Sequence, residues 1–185
     1  MLWRFHPGFA LSRGAIDGPA GPSWTATFSQ VFTADQGGWG STNQRQVLNS
    51  SLLSTSGTLV RVTLQASSSA GFSVDSAYIG HQAGSGDPYD FDGGQAQLKV
   101  GGSASFSAST GASVVSDAIT FALDHTKNLV LAIHYTGTSA IRGTGLSGAS
   151  NYFKSGADET SVSNVSSMSL DGANVVRAVT KIEVQ

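Results

Sequence analysis

Between Thr58 and Tyr135 the chain runs strand, turn, strand, turn, and no helical period interrupts it. TLVRVTLQA at 58–66 alternates, with Leu59, Val62 and Leu64 apolar and only Val60 out of step. FSVDSAYIGH at 72–81 offers Val74, Ala77 and Ile79 to a core. Shorter β-prone runs follow at Gln95–Val100, Ser103–Ala108, Ser113–Val115 and Ile119–Ala122, divided by GG, STG and SD turns. Asn128–Tyr135 (NLVLAIHY) is almost continuously apolar, which predicts a central strand covered on both faces. Short strands with a turn signal about every 8–12 residues leave one architecture, an antiparallel β-sandwich of jelly-roll type.

The remaining sequence extends that plan. TATFSQVFT from Thr25 and NQRQVLNSSLL from Asn43 are strand candidates, and Ile141 and Ala149–Phe153 are weaker ones. NVVRAVTKIEV at 174–184 reads as one closing strand, at the edge or next to it. Val176, Ala178, Thr180 and Ile182 would share one face, Val175, Arg177, Val179, Lys181 and Glu183 the other. At 185 residues the chain has room for one all-β domain, 24–185, preceded by an arm, 1–23. Disordered tails are poor in aromatics, yet the arm sets Trp3, Phe5 and Phe9 among Gly and Pro. It is therefore expected to bury those rings against a neighbouring subunit or its own domain.

A charged fraction of 12% is about half that of ordinary soluble domains, and Ser, Thr, Gly and Ala fill the difference. The net charge of −2, with Arg and Lys scattered singly, gives no electrostatic reason to expect nucleic-acid binding. With no cysteine there is no disulfide and no thiolate metal site. No apolar run is long enough for a membrane helix. Arg4, His6 and Pro7 interrupt the first apolar residues, so no signal peptide is expected and an outside destination would need another route, release inside a virus particle being one.

Several pieces together carry a family resemblance. GTLVRVTL is followed by SVDSAYIGH, then VGGSASFSAST, then VVSDAI at 114–119 and NLVLAIHYTG at 128–137. This order resembles the N-terminal jelly-roll module that precedes some SGNH/GDSL hydrolase domains, over about residues 58–137. There the matching pieces read as an arginine-bearing strand, a hydroxyl-rich strand, V-S-D-P and a strand of the form L-A-V-S-x-Y. The resemblance implies a β-sandwich that binds carbohydrate or mediates attachment. It does not imply ester hydrolysis: the G-D-S nucleophile motif is absent, Gly86-Asp87 being followed by Pro88, and the residues after Tyr135 leave no room for a hydrolase domain.

Catalysis would need a nucleophile, a base and an orienting group in register. His81, His125 and His134 with Asp117 or Asp124 invite such a reading, but no Gly-x-Ser-x-Gly elbow is present. His134 falls in an apolar strand and His125 in a DHTKN turn, so structural roles are expected and no enzyme is predicted. The loop 84–94 carries Asp87, Tyr89, Asp90, Phe91 and Asp92. It reads as a turn-capping hairpin loop, as carboxylate acceptors beside ring faces suited to a glycan or partner, or as oxygen ligands for Ca²⁺. The last reading lacks the EF-hand's terminal Glu, so no metal and no cofactor is assigned. Trp39, flanked by glycines, either plugs one end of the sandwich or stands exposed as a stacking platform; Tyr152, with Phe153, poses the same choice. Arg61 and Arg142 are expected to be solvated or packed along their stems.

The function expected from these features is structural: a fibre, spike or tail-tip component of a tailed phage or phage-like particle. It would be assembled in the host cytoplasm, dock to other virion proteins through the arm, form a homo-oligomer and bind host polysaccharide. The alternative is a free-standing bacterial carbohydrate-binding module. A hydrolase remnant ranks behind both.

Overall fold

Alternating residues need two layers to bury one face of each strand, and the computed structural model supplies them over the described residues, 23–185. Trp3, Phe5 and Phe9 of the expected arm lie outside those residues. Thirteen strands occur in the described part. They are β1 (Thr25–Ser29), β2 (Ala34–Gln36), β3 (Thr42–Leu48), β4 (Gly57–Gln65), β5 (Phe72–His81), β6 (Ala96–Gln97) and β7 (Phe106–Ala108). After these come β8 (Ser113–Val115), β9 (Ile119–Leu123), β10 (Leu129–Thr136), β11 (Ile141–Ser155), β12 (Ser169–Arg177) and β13 (Val179–Val184). The smaller sheet has the order β1-β13-β4-β8, with β9 also on β4. The larger has the order β12-β11-β3-β10-β5-β6, with β2 on β11 and β7 on β5. The paired strands are antiparallel. The protein is an antiparallel β-sandwich, as its alternation predicts.

Between the sheets, β4 contributes Val60, Val62 and Leu64, so Leu59 and not Val60 is the residue out of step, and β13 contributes Val179, Ile182 and Val184. They meet Leu129, Leu131, Ile133 and Tyr135 from β10, which sits between β3 and β5 as the apolar run required. Each such side chain taken out of water contributes about 1.5–3 kcal/mol. The opposite face of β10 is covered too. Val130 and Ala132 join Val47, Tyr89, Phe91 and Val165 in a second cluster, roofed by the loops 82–94 and 156–168.

Three elements differ from expectation. NVVRAVTKIEV is not one strand: β12 belongs to the larger sheet and β13 to the smaller. The break falls at Ala178, at φ 59°, whose N–H donates to Arg142 O at 2.8 Å and whose carbonyl accepts from Gln65 N at 2.8 Å. The kink turns Val179 inward, and a register shift between Val179 and Lys181 then restores Ile182 and Val184 to the core, so Val179 does not share a face with Lys181 and Glu183. The segment 141–155 is one strand of 15 residues despite Gly143, Gly145 and Gly148. It holds because β2, β3 and β12 all pair with it, and neighbours outweigh weak local propensity. Finally, β3 is buried along its whole length although Thr42, Asn43, Gln44, Arg45 and Gln46 are polar.

Candidate functional site

The polar residues of β3 divide between its two faces. Leu48 lies in the core, so Gln46, Gln44 and Thr42 follow it on the inner face at the two-residue period of a strand. Opposite them on β11 stand Ala149, Asn151, Phe153 and Ser155. Toward β12 the inner face thus changes from apolar to polar. Buried amides demand partners, and here they form a directed chain. Tyr135 Oη donates to Gln44 Oε1 at 2.7 Å, Gln44 Nε2 donates to Asn151 Oδ1 at 2.8 Å, and Asn151 Nδ2 donates to Asp171 Oδ2 at 3.2 Å. Arg177 Nε donates to the same Asp171 oxygen at 3.0 Å. Burial holds the Tyr135 phenol well above its usual range, so it remains a donor.

Asp171 faces a groove of about 190 Å³ at this end of the inner face. Gln36 comes from the end of β2, Trp39 from the β2–β3 loop, Thr42 from β3, and Phe153 and Ser155 from the end of β11. Trp39 is only 6% exposed. Its ring meets Tyr135 edge-on at 5.8 Å and Phe153 at 6.5 Å, so it plugs the end of the sandwich and forms the groove's floor. Gly40 permits this seating, since a Cβ there would lie 2.0 Å from Gly137 O. Phe153 remains 37% exposed and is the ring that a ligand can reach. Tyr135 therefore braces both halves: its ring supports Trp39, and its hydroxyl starts the chain that orients Asp171.

The loop 84–94 lies on the other face of the larger sheet. There Asn43, Arg45 and Val47 point outward, and the Arg45 guanidinium rests 4.2 Å above the Phe91 ring. Arg45 donates to Glu159 O at 3.0 Å, Val162 O at 2.6 Å and Tyr89 O at 3.4 Å, stitching the two roofing loops to β3. Burial pulls its guanidinium down to about 10, against the pull of Asp90, Glu159 and Asp158, so it stays charged at neutral pH.

Most candidate residues of this loop are structural. Phe91 and Tyr89 are buried in the second cluster and present no ring face to a sugar. Asp90 is buried and accepts from the backbone N–H of Asp87 at 3.0 Å and of Val165 at 3.1 Å. Tyr89 Oη donates to Asp87 at 3.0 Å, and Asp92 accepts from Gly94 N at 2.9 Å. The carboxylates are spent on turns, and among the described residues no group of three or more His, Asp or Glu converges as a metal site would require. Tyr152 packs against Tyr89 at 5.0 Å on this same outer face. The structure thus separates Trp39 from Asp87, Tyr89, Asp90, Phe91, Asp92 and Tyr152.

The histidines are likewise dispersed. His134 Nδ1 lies 2.7 Å from Asp75 and its Nε2 3.0 Å from Gly156 O, tying a loop to the sheet. Ser56 Oγ and His125 Nδ1 are 2.9 Å apart, but Asp124 turns to Thr126, and among the described residues no carboxylate orients His125. Asp117 binds the backbone N–H groups of Gly101 and Gly102. Arg61 pairs with Glu183 at 2.7 Å and stacks on Trp24, and Arg142 faces Asp35 at 3.1 Å.

Sequence reading missed Asp171, Thr42, Ser155 and Gln36, and left Tyr152 and Phe153 undivided where only Phe153 lines the groove. The alternation of β11 carries that last distinction, once Ala149 is known to be inward. Comparison with protein-family models gives no match, and comparison with curated proteins gives no significant one.

Proposed function

We propose that this chain is a non-enzymatic attachment protein whose β-sandwich holds a cell-surface glycan in the Trp39–Phe153–Asp171 groove. The carrying observation is the groove itself: an exposed aromatic ring beside a carboxylate whose position is fixed from within, with the Thr42 and Ser155 side chains lining the same groove. A sugar presents C–H bonds to a ring and hydroxyl donors to acceptors, so this pairing suits it, and prior orientation of Asp171 lowers the cost of binding. In the same reading the chain is a fibre, spike or tail-tip component of a tailed phage or phage-like particle, docked through its N-terminal segment. The low charged fraction and the aromatic residues Trp3, Phe5 and Phe9 support that setting. A free-standing bacterial module would use the same groove.

A glycan array probed with the full chain tests the binding. Saturable signal is expected from the unaltered protein, reduced at least tenfold by Phe153→Ala and by Asp171→Ala. Both variants should keep the circular dichroism of the folded sheet. An array without hits, or hits indifferent to both substitutions, rejects the groove.

A further inference from the structure

We propose that His134 is a proton-dependent latch on the loop 156–168, closed when both ring nitrogens carry a proton and loosened when one is lost. Three register partners, Asn43 on β3, His134 on β10 and Ser76 on β5, form one polar row across the outer face of the larger sheet. All three grip the loop between Gly156 and Thr160. Asn43 Nδ2 donates to Ala157 O at 2.8 Å, and its Oδ1 accepts from Glu159 N at 2.8 Å. Ser76 Oγ lies 2.7 Å from Thr160 Oγ1. An amide and a hydroxyl satisfy such partners whatever the pH. His134 does not.

Its Nδ1 faces Asp75 Oδ1 at 2.7 Å and its Nε2 faces Gly156 O at 3.0 Å. A carboxylate and a carbonyl only accept, and a neutral imidazole has a single N–H. The imidazolium therefore completes both bonds, whereas either neutral tautomer sets a lone pair against an oxygen. The ring is buried, so the missing bond weakens the closed loop. Around the ring, β5 supplies Asp75, the loop supplies Asp158 and Glu159, β11 supplies Lys154 and β3 supplies Arg45. Among the described residues only Asp75 pairs with it. Asp158 accepts from Thr160 Oγ1 at 2.6 Å, Lys154 is paired with Glu159 at 2.9 Å, and Arg45 is spent on the carbonyls of Glu159 and Val162. None of these groups takes over when the His134 proton leaves.

The test is NMR of the full chain from about pH 5 to about pH 8.5, the span around which a histidine changes charge. It reads the ring nitrogen shifts of His134 beside amide hydrogen exchange at Gly156, Glu159 and Val162, corrected for the intrinsic effect of pH on exchange. At the acid end both ring nitrogens are expected to carry hydrogen. As the ring loses one, exchange at those amides should quicken by about fivefold or more along the same curve. Asp75→Asn separates a latch from a merely structural histidine, at a side chain 44% exposed. The new amide can donate to a bare Nδ1 while Nε2–H holds Gly156 O, so the step should shrink to about twofold or less. His134→Gln, with no proton to lose, should show no step. Exchange that stays flat while the ring titrates, a ring that keeps one state across the range, or an undiminished step in Asp75→Asn would overturn the proposal. Glycan binding has no part in any of these readings.

Discussion

Single side chains in this molecule are fixed by what they must satisfy once buried, and His81 shows it most clearly. Its Nε2 accepts the backbone N–H of Asp124 at 3.0 Å, so that nitrogen carries a lone pair and the ring is neutral. Burial against Phe121, with Lys127 adding to it, pulls the imidazole below its usual range, while Asp92 and Asp124 resist. The folded state therefore takes up this proton at lower pH than the unfolded chain does. Above about 6.5 both states are neutral and the full stability is present. As pH falls below that value the unfolded state gains the proton first, and stability declines until the lowered folded value is passed. Urea midpoints measured from pH 7.5 down to 5 should fall more steeply for the native protein than for His81→Gln. Parallel curves would show that His81 is not the group responsible. Glu183 behaves in the same sense at lower pH, because Arg61 first, and then Lys181, holds its carboxyl below the ordinary range.

At the scale of elements, β3 and the loops above it show how a polar strand becomes interior. Arg45 satisfies loop carbonyls, and Phe91 fills the space beneath it. Gly80 on β5 leaves that space open, since a Cβ there would lie 2.6 Å from Phe91 Cδ1 and 2.9 Å from Gln95 Cβ. Gly80→Ala should push Phe91 out from under Arg45, costing about 1–3 kcal/mol by overpacking. It should also speed proteolysis within 82–94, as read by mass spectrometry of the early fragments. An Ala variant with unaltered stability and cleavage would mean that the loop is not held through Phe91. None of this was legible in QAGSGDPYDFDGG. The loop's glycines, Pro88 and aspartates announced turns, but the cation that buries Phe91 lies 46 residues earlier, at Arg45. Nor could NVVRAVTKIEV reveal its kink, because alternation continues through Ala178 in the sequence while the backbone there reverses handedness.

The whole molecule is a two-layer scaffold whose two sheets differ in size and whose larger sheet is covered on both faces. If the N-terminal segment docks as proposed, the full chain should self-associate or bind a neighbour. Size-exclusion chromatography with light scattering is expected to give a defined oligomer, and the oligomer should persist at high salt, since apolar anchors are not screened. A strict monomer whose first residues are cut readily by protease would remove the assembly reading and favour the free-standing module. Alternation, turn residues and the apolar run of β10 determined by themselves that this chain is an antiparallel sandwich with β10 at its centre. Those signals are local, and a strand's period is written in consecutive residues. The groove was decided only by tertiary structure. Trp39, Tyr135, Phe153 and Asp171 come from four separate stretches, and the register of β3, β11 and β12 turns Gln44 and Asn151 into the link between them. Register depends on which strands meet, and that information lies in the packing of the whole sheet.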